Sequence, residues 1–181
     1  MKVISSIGNM HGKISGYNYE KFREIVDGYG NRDIFITYIS EEKYRNNKNS
    51  YKEIRNLEGK YNLFFNGIDC EYYFGIGERY SIKAIDAETI TKKNLLDMLD
   101  SITKSYLESF WKDESAINSE LTDNVFRAKH KFILSLNPEY EEKYWIPLHE
   151  EIYNNMKKYN KKFIIVSDVE SSFFYREKIN M

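Results

Sequence analysis

His11 lies between Gly8 and Gly12, just after the short apolar run Val3-Ile4-Ser5-Ser6-Ile7. A histidine offered at the end of such a run can exchange protons or bind a metal, because imidazole changes charge close to neutral pH. Carboxylates recur in comparable places. Asp86 and Glu88 follow Ser81-Ile82-Lys83-Ala84-Ile85, and Asp168 and Glu170 follow Phe163-Ile164-Ile165-Val166-Ser167. One histidine with several carboxylates can do general acid–base work or hold a divalent cation. His11 is then the general base or metal ligand. Asp86, Glu88, Asp168 or Glu170 would orient it or complete the coordination. His11, Asp86, Asp168 and Glu170 form the candidate metal set, and a divalent metal is the cofactor they suit. Gly8 permits a tight turn and a close backbone approach to a bound group. The plainer role for each acid is to sit in the first turn of the following helix, where it caps free N–H groups and favours the dipole.

The elements that must position these residues can be read from periodicity. Lys2 to Ile7 reads as a first strand. Tyr17 to Asp27 reads as a helix with Tyr19, Phe22 and Val26 on one face, closed by Gly28 and Gly30. Asp33 to Ile39 is near-continuously apolar, as expected of a strand covered on both faces. Glu41 to Tyr61 is polar and reads as an exposed helix with an irregular middle. Tyr61 to Gly77 is aromatic and glycine-containing without clear periodicity. Ser81 to Ile85 reads as strand three. Helices are expected over Thr91 to Trp111, Leu121 to Leu136 and Glu139 to Tyr159, then strand four over Lys162 to Ser167 and a last helix over Ser172 to Ile179. Strands alternating with helices imply an α/β fold: a mainly parallel central sheet of about four or more strands with helices packed on it. In such sheets the ligand crevice lies beyond the carboxyl ends of the strands. Those ends carry His11, Glu41-Glu42 after strand two, Asp86 with Glu88, and Asp168 with Glu170.

The bulk numbers bound the alternatives. A chain of 181 residues suits one domain, residues 1–181, with roughly 70% of its unfolded surface buried on folding. The single cysteine, Cys70, excludes an intramolecular disulfide framework and a cysteine zinc cluster. Its neighbours Asp69 and Glu71 would raise its pKa, so it is not read as a nucleophile. Lys and Arg total 27 against 28 Asp and Glu, for a net charge of −1. That balance argues against a dedicated nucleic-acid binder, although a local patch can hide in a neutral total. No run approaches ~18 apolar residues, so no membrane span is expected. The amino-terminal run lacks the length and cleavage site of a signal peptide, and the expected compartment is the cytoplasm. The 16 tyrosines are not read as ligand stackers, because tyrosine replaces phenylalanine wherever its tip can reach water or a partner. Gly75-Ile76-Gly77 lacks the third glycine of a dinucleotide loop, and neither a Walker lysine nor a nucleophile elbow is present.

Two further histidines fall within helices. His149 shares a face with Trp145 and Ile152, which suits a partly buried structural role. His130 follows Arg127 by three residues. Asn124, Arg127 and Lys131 can line one polar stripe, turned either to solvent or into the crevice.

Gly8-Asn9-Met10-His11 closing strand one, the helix segment Asp123-Asn124-Val125-Phe126-Arg127 and the late strand and turn from Ile164 to Tyr175 together resemble the superfamily that joins erythromycin esterases with TraB, GumN and Tiki-type proteins. The resemblance spans most of the chain in order. It implies hydrolytic chemistry, with metalloprotease and ester hydrolysis both claimed for the family. It implies His11 as the working histidine, Gly8 as its turn and Arg127 as a cation for an anionic or carbonyl oxygen. The chain departs from the pattern in two places. Thr37-Tyr38 stands where the family has an acid on strand two, and Asp168 and Glu170 stand where relatives often carry a second histidine.

The leading expectation is a hydrolase-like protein acting on a small-molecule or peptide substrate, with His11, Glu88 and Arg127 as catalytic candidates. The second is a binding or interaction module on the same scaffold, built on the aromatic stretch Phe64 to Tyr80 and able to form a homo-oligomer. The third, a nucleotide-binding doubly wound fold, shares the crevice rule but lacks the glycine fingerprint.

Overall fold

The computed structural model describes residues 1–6, 19–68, 87–110, 113–136 and 138–181. Among these, β1 (Lys2–Ser6), β2 (Asp33–Ile36), β3 (Asn62–Phe65) and β4 (Ile164–Asp168) form one sheet in the order β1-β4-β2-β3. Every pairing is parallel. Helices pack around it, which is the expected α/β architecture. The strand order differs from the chain order because β4 inserts between β1 and β2.

β4 is the best-covered strand. Ile164, Ile165 and Val166 are all within 1% of full burial, as are Ile4, Ile34, Phe35 and Ile36 on its neighbours. A parallel strand flanked on both edges and covered on both faces needs this unbroken β-branched run. The free edge of β1 is closed locally: the Ser5 N–H donates to Asn118 Oδ1 at 2.8 Å.

Helix α1 spans Tyr19–Gly28. The polar segment after β2 breaks as its composition suggests. Helix α2 (Glu41–Asn46) is capped by the Ser40 hydroxyl, a 3-10 turn covers Lys48–Ser50, and α3 spans Lys52–Arg55. The expected third strand, 81–85, lies outside the described residues. A strand not anticipated from the sequence occurs at Asn62–Phe65, within the stretch that showed no periodicity. Four residues are too few to display alternation, and both faces here carry aromatic or aliphatic side chains. Phe64 and Phe65 are half-buried rather than exposed, with Phe64 against Tyr159 and Phe163 and Phe65 stacked on Tyr44.

Helix α4 spans Ala87–Phe110, α5 Glu114–Ile117 and α6 Glu120–Leu136. The long helix read over 139–159 is three pieces: α7 (Pro138–Tyr140), a π-helical turn (Glu141–Trp145) and α8 (Ile146–Lys157). The π turn brings Glu141, Tyr144 and Trp145 inward together. Helix α9, Ser172–Asn180, closes the fold against β1 and β4. None of the described helices is long and apolar enough to cross a membrane.

Candidate functional site at the carboxyl edge

The sheet changes character one rung before its carboxyl edge. Ile4, Val166, Ile36 and Phe65 stand level on the four strands. The next positions are Ser5, Ser167, Thr37 and Asn66. Ser5 and Ser167 are in register, the Thr37 N–H continues the ladder to the Val166 carbonyl, and Asn66 Nδ2 donates to the Thr37 carbonyl at 2.7 Å. All four are at most 2% exposed. Small hydrogen-bonding side chains therefore floor the edge where a ligand would approach. Ser167 Oγ has no hydrogen-bond partner among the described residues.

Asp168 ends β4 one step further on, level with Ser6 of β1. Its carboxylate accepts the Ser171 N–H at 2.9 Å and the Ser171 hydroxyl at 2.9 Å, so it caps the turn into α9. Burial pushes its pKa from 3.8 up to about 6, the Glu170 charge adds to the rise, and the Ser171 bonds oppose it. Part of the residue still reaches the surface. A carboxyl titrating near 6 can give or take a proton close to neutrality.

Ser171 Oγ also lies 3.3 Å from His149 Nε2, and His149 Nδ1 lies 2.8 Å from the Tyr175 hydroxyl. A serine within reach of an imidazole at the start of a helix invites comparison with a nucleophile–base pair. Two facts oppose that role. Burial, with a smaller push from His130, lowers the His149 pKa to about 3, which makes it a weak base. The group on its other nitrogen is a phenol rather than a carboxylate. The chain Asp168–Ser171–His149–Tyr175 instead links a titratable carboxyl to a neutral core. One serine proton serves two acceptors. When Asp168 is ionised it accepts that proton; when it is protonated, Asp168 donates to Ser171 and frees the serine proton for His149.

The other candidates are placed as follows. His11, Gly8 and Asp86 lie outside the described residues. Glu88 sits in the first turn of α4. Glu170 is half-buried and turns to Lys129 at 3.0 Å, and that ammonium is also 2.7 Å from Asp100 of α4. Arg127 does not turn to these carboxylates. It pairs with Glu177 of α9 at 2.7 Å, donates to Asn124 and lies over the Phe173 ring. Among the described residues no group of three or more His, Cys, Asp or Glu side chains could hold a metal ion. Asp168 and Glu170 do not fit a shared cation, since one is committed to Ser171 and the other to Lys129.

His149 is buried against Trp145, as its helix face suggests. His130 faces neither solvent nor crevice. It is 8% exposed, its Nδ1 lies 2.8 Å from Glu141 Oε1, and its ring packs 4.0 Å from the Trp145 ring. That His130–Glu141 pairing had no local signal in the chain, and neither did a second one. Arg176 of α9 pairs with Asp123 of α6, 53 residues away, and its Nη2 reaches Ser5 Oγ at 2.8 Å and Asn118 at 3.1 Å. Desolvation raises the Asp123 pKa despite that guanidinium. Ser171 had a weak signal, as a hydroxyl three residues after a strand-end Asp. An open cleft of ≈ 270 Å³ lies elsewhere, beside β3, where Tyr44, Tyr61 and Phe65 meet the Arg45–Glu41 pair.

No protein-family model, curated protein or solved structure matches this chain.

Proposed function

We propose that the chain is a hydrolase-like α/β protein, related to the erythromycin esterase, TraB, GumN and Tiki-type superfamily, that works at the carboxyl edge of its sheet. Asp168 and His11 are its proton-exchanging groups. The substrate is a small molecule or peptide, and the compartment is the cytoplasm. The observation that carries the reading is Asp168: a carboxyl at the end of an interior strand, above a floor of small polar side chains, with its pKa raised to about 6. Perturbed carboxyls at such edges concentrate at working sites. His11 follows Ser6 by five positions, and Ser6 stands beside Asp168. Five residues of chain span at most ~17 Å, which limits how far His11 can lie from Ser6.

The test is turnover of ester, peptide and phosphoester panels by the wild-type chain, His11→Ala and Asp168→Asn. The reading expects one substrate class to be turned over, with both substitutions lowering kcat by a factor of ~100 or more, the usual range for a lost acid–base group. Turnover unchanged in both variants would falsify it.

A second reading, a binding module without catalysis, is favoured by one observation. Arg127 and Glu170, which the first reading would want free, are held in ion pairs with Glu177 and Lys129. The aromatic part of that reading is weakened at Phe64 and Phe65, which pack on the core. Absence of turnover on every panel, with a ligand still stabilising the fold, would select the second reading.

A further inference from the structure

At the opposite edge of the sheet, cations accumulate. α8 ends at Lys157, and Asn160, with φ of 49°, reverses the chain into β4. This turn sets Lys157 and Lys158 close to Lys161 and Lys162. The Lys2 N–H donates to the Phe163 carbonyl, which brings the start of β1 alongside. Asn31 Nδ2 donates to the Lys162 carbonyl, which brings Arg32, at the start of β2, to the same place. All six basic residues are exposed. Among the described residues only Lys161 has a carboxylate partner, Asp33 at 3.2 Å. Other exposed cations, such as Arg23, Lys52, Arg55 and Lys131, also lack a carboxylate partner among the described residues, so what marks this patch is that five such residues gather with Lys161 at one edge of the sheet. Arg45, Lys48, Lys60, Arg127, Lys129 and Lys178 each sit within 3.0 Å of a carboxylate. Six cations against one carboxylate leave a local excess of five (6 − 1) in a chain whose total is −1.

Tyr159 stands in the middle of the lysines and is 46% exposed, although its ring also touches Phe35, Phe64 and Phe163. Around it Lys158 donates to Asn155 Oδ1 at 2.7 Å and Lys157 lies over the Tyr153 ring, contacts that leave both positive charges without a neutralising carboxylate among the described residues. A planar side chain held by its neighbours and open on part of its surface, among such ammonium groups, has the chemistry of a stacking platform beside a phosphate track. The helix nearest the patch ends there, so its negative dipole end faces the lysines. Among the described residues no helix N-terminus and no recognition helix is offered there to a duplex groove.

We propose that the amino edge of the sheet, formed by Lys2, Arg32, Lys157, Lys158, Lys161 and Lys162 around Tyr159, binds single-stranded nucleic acid. It lies at the far end of the strands from Asp168 and does not depend on the catalytic reading. Lysines there neutralise backbone phosphates, and Tyr159 stacks on a base.

The experiment is fluorescence anisotropy of a labelled 20-nucleotide oligo-dT with the full chain. About four phosphate contacts predict a salt slope near −2.8, so affinity should fall about 50-fold between 50 and 200 mM salt. Lys158→Glu with Lys162→Glu should weaken binding at least ~10-fold, since two attractive contacts become repulsive. Tyr159→Leu keeps the apolar contacts and should weaken binding by a factor of ~5 or more. Lys104→Glu, on the exposed face of α4, should change nothing. Circular dichroism checks that each variant is folded. No binding at 50 mM salt, indifference to the paired lysine reversal, an unchanged Tyr159→Leu, or tighter binding to a duplex or to anionic-lipid vesicles would overturn the assignment.

Discussion

Replacing Asp168 by Asn should make the protein more stable relative to wild type as the pH rises. In the folded chain the Asp168 carboxyl titrates at about 6, against 3.8 in the ordinary carboxyl. The folded state therefore holds this proton more tightly than the unfolded state between those values. The associated stability is fully present below pH 3.8 and is lost as the pH climbs through about 6. A shift of 2.2 units (6 − 3.8), at ~1.36 kcal/mol per unit, sets a ceiling of about 3 kcal/mol. Asp168 is partly exposed, so solvent screening brings the expectation to about 1–3 kcal/mol. Asn fits the same place: its Oδ1 accepts the Ser171 N–H, and its amide donates to the Ser171 hydroxyl, which can accept. The assay is urea unfolding of both proteins from pH 4 to pH 8. The difference, Asn variant minus wild type, should rise by about 1–3 kcal/mol between pH 4 and 6 and then level off. Taking the difference removes contributions from groups common to both. A flat difference, or one that falls with pH, would refute the reasoning. It would mean that Asp168 is not desolvated as described, and the proton-exchange role would lose its support.

His149 works in the opposite sense over an overlapping range. Its folded pKa is depressed to about 3 from 6.5 by burial, so stability is lost as the pH falls below 6.5, by up to about 5 kcal/mol. His149→Gln, which keeps hydrogen-bonding groups for Ser171 and Tyr175, should flatten that acid limb in the same urea series; an unchanged limb would show that another group drives it. Asp123→Ala should cost about 3 kcal/mol, because it leaves the mostly buried Arg176 guanidinium without its carboxylate, and thermal unfolding should read it as a clear drop in Tm. Lys129→Met should cost less, ~1–2 kcal/mol, because the carboxylates it releases, Asp100 and Glu170, are open enough to hydrate. A loss as large as that of Asp123→Ala would mean that the Lys129 clamp holds the β4–α9 turn in shape.

The parts of the fold legible in the chain were those with long, local signals. The unbroken runs at Ile34-Phe35-Ile36 and Ile164-Ile165-Val166 are buried parallel strands because only a doubly covered strand tolerates such apolarity. The irregular middle of 41–61 is irregular because Asn46 to Asn49 favours turns. The start of α4 lay four residues before the expected Thr91, because the expectation followed the apolar seam that begins at Leu95 rather than the cap-type residue Asp86 that precedes Ala87 in the sequence. β3 was hidden because four residues, Asn62 to Phe65, cannot display a period. At the site, Asp168 was visible as a strand-end carboxylate, and its capping of Ser171 matches the plainer role considered for it. The rest is three-dimensional: nothing in the sequence joins Arg176 to Asp123 and Ser5, or His130 to Glu141, before the helices pack. The balanced total charge likewise concealed the cationic amino edge, because the compensating acids lie elsewhere.

The position of β4 has a consequence for synthesis on the ribosome. Thr37 and Val166, neighbours across the sheet, are 129 residues apart in the chain. β2 and β3 can pair early, but among the described strands β1 has no neighbour until Ile164 to Asp168 has been made. Until then the edges of β1 and β2 that will face β4 stay unpaired. Such edges are templates for wrong pairing. Among the described strands β4 is made after the other three and acts as a keystone: until it slides into place these strands are two fragments. A ribosome stalled before residue 164 would hold a β2–β3 pair with β1 adrift, a species that folding helpers would have to shield.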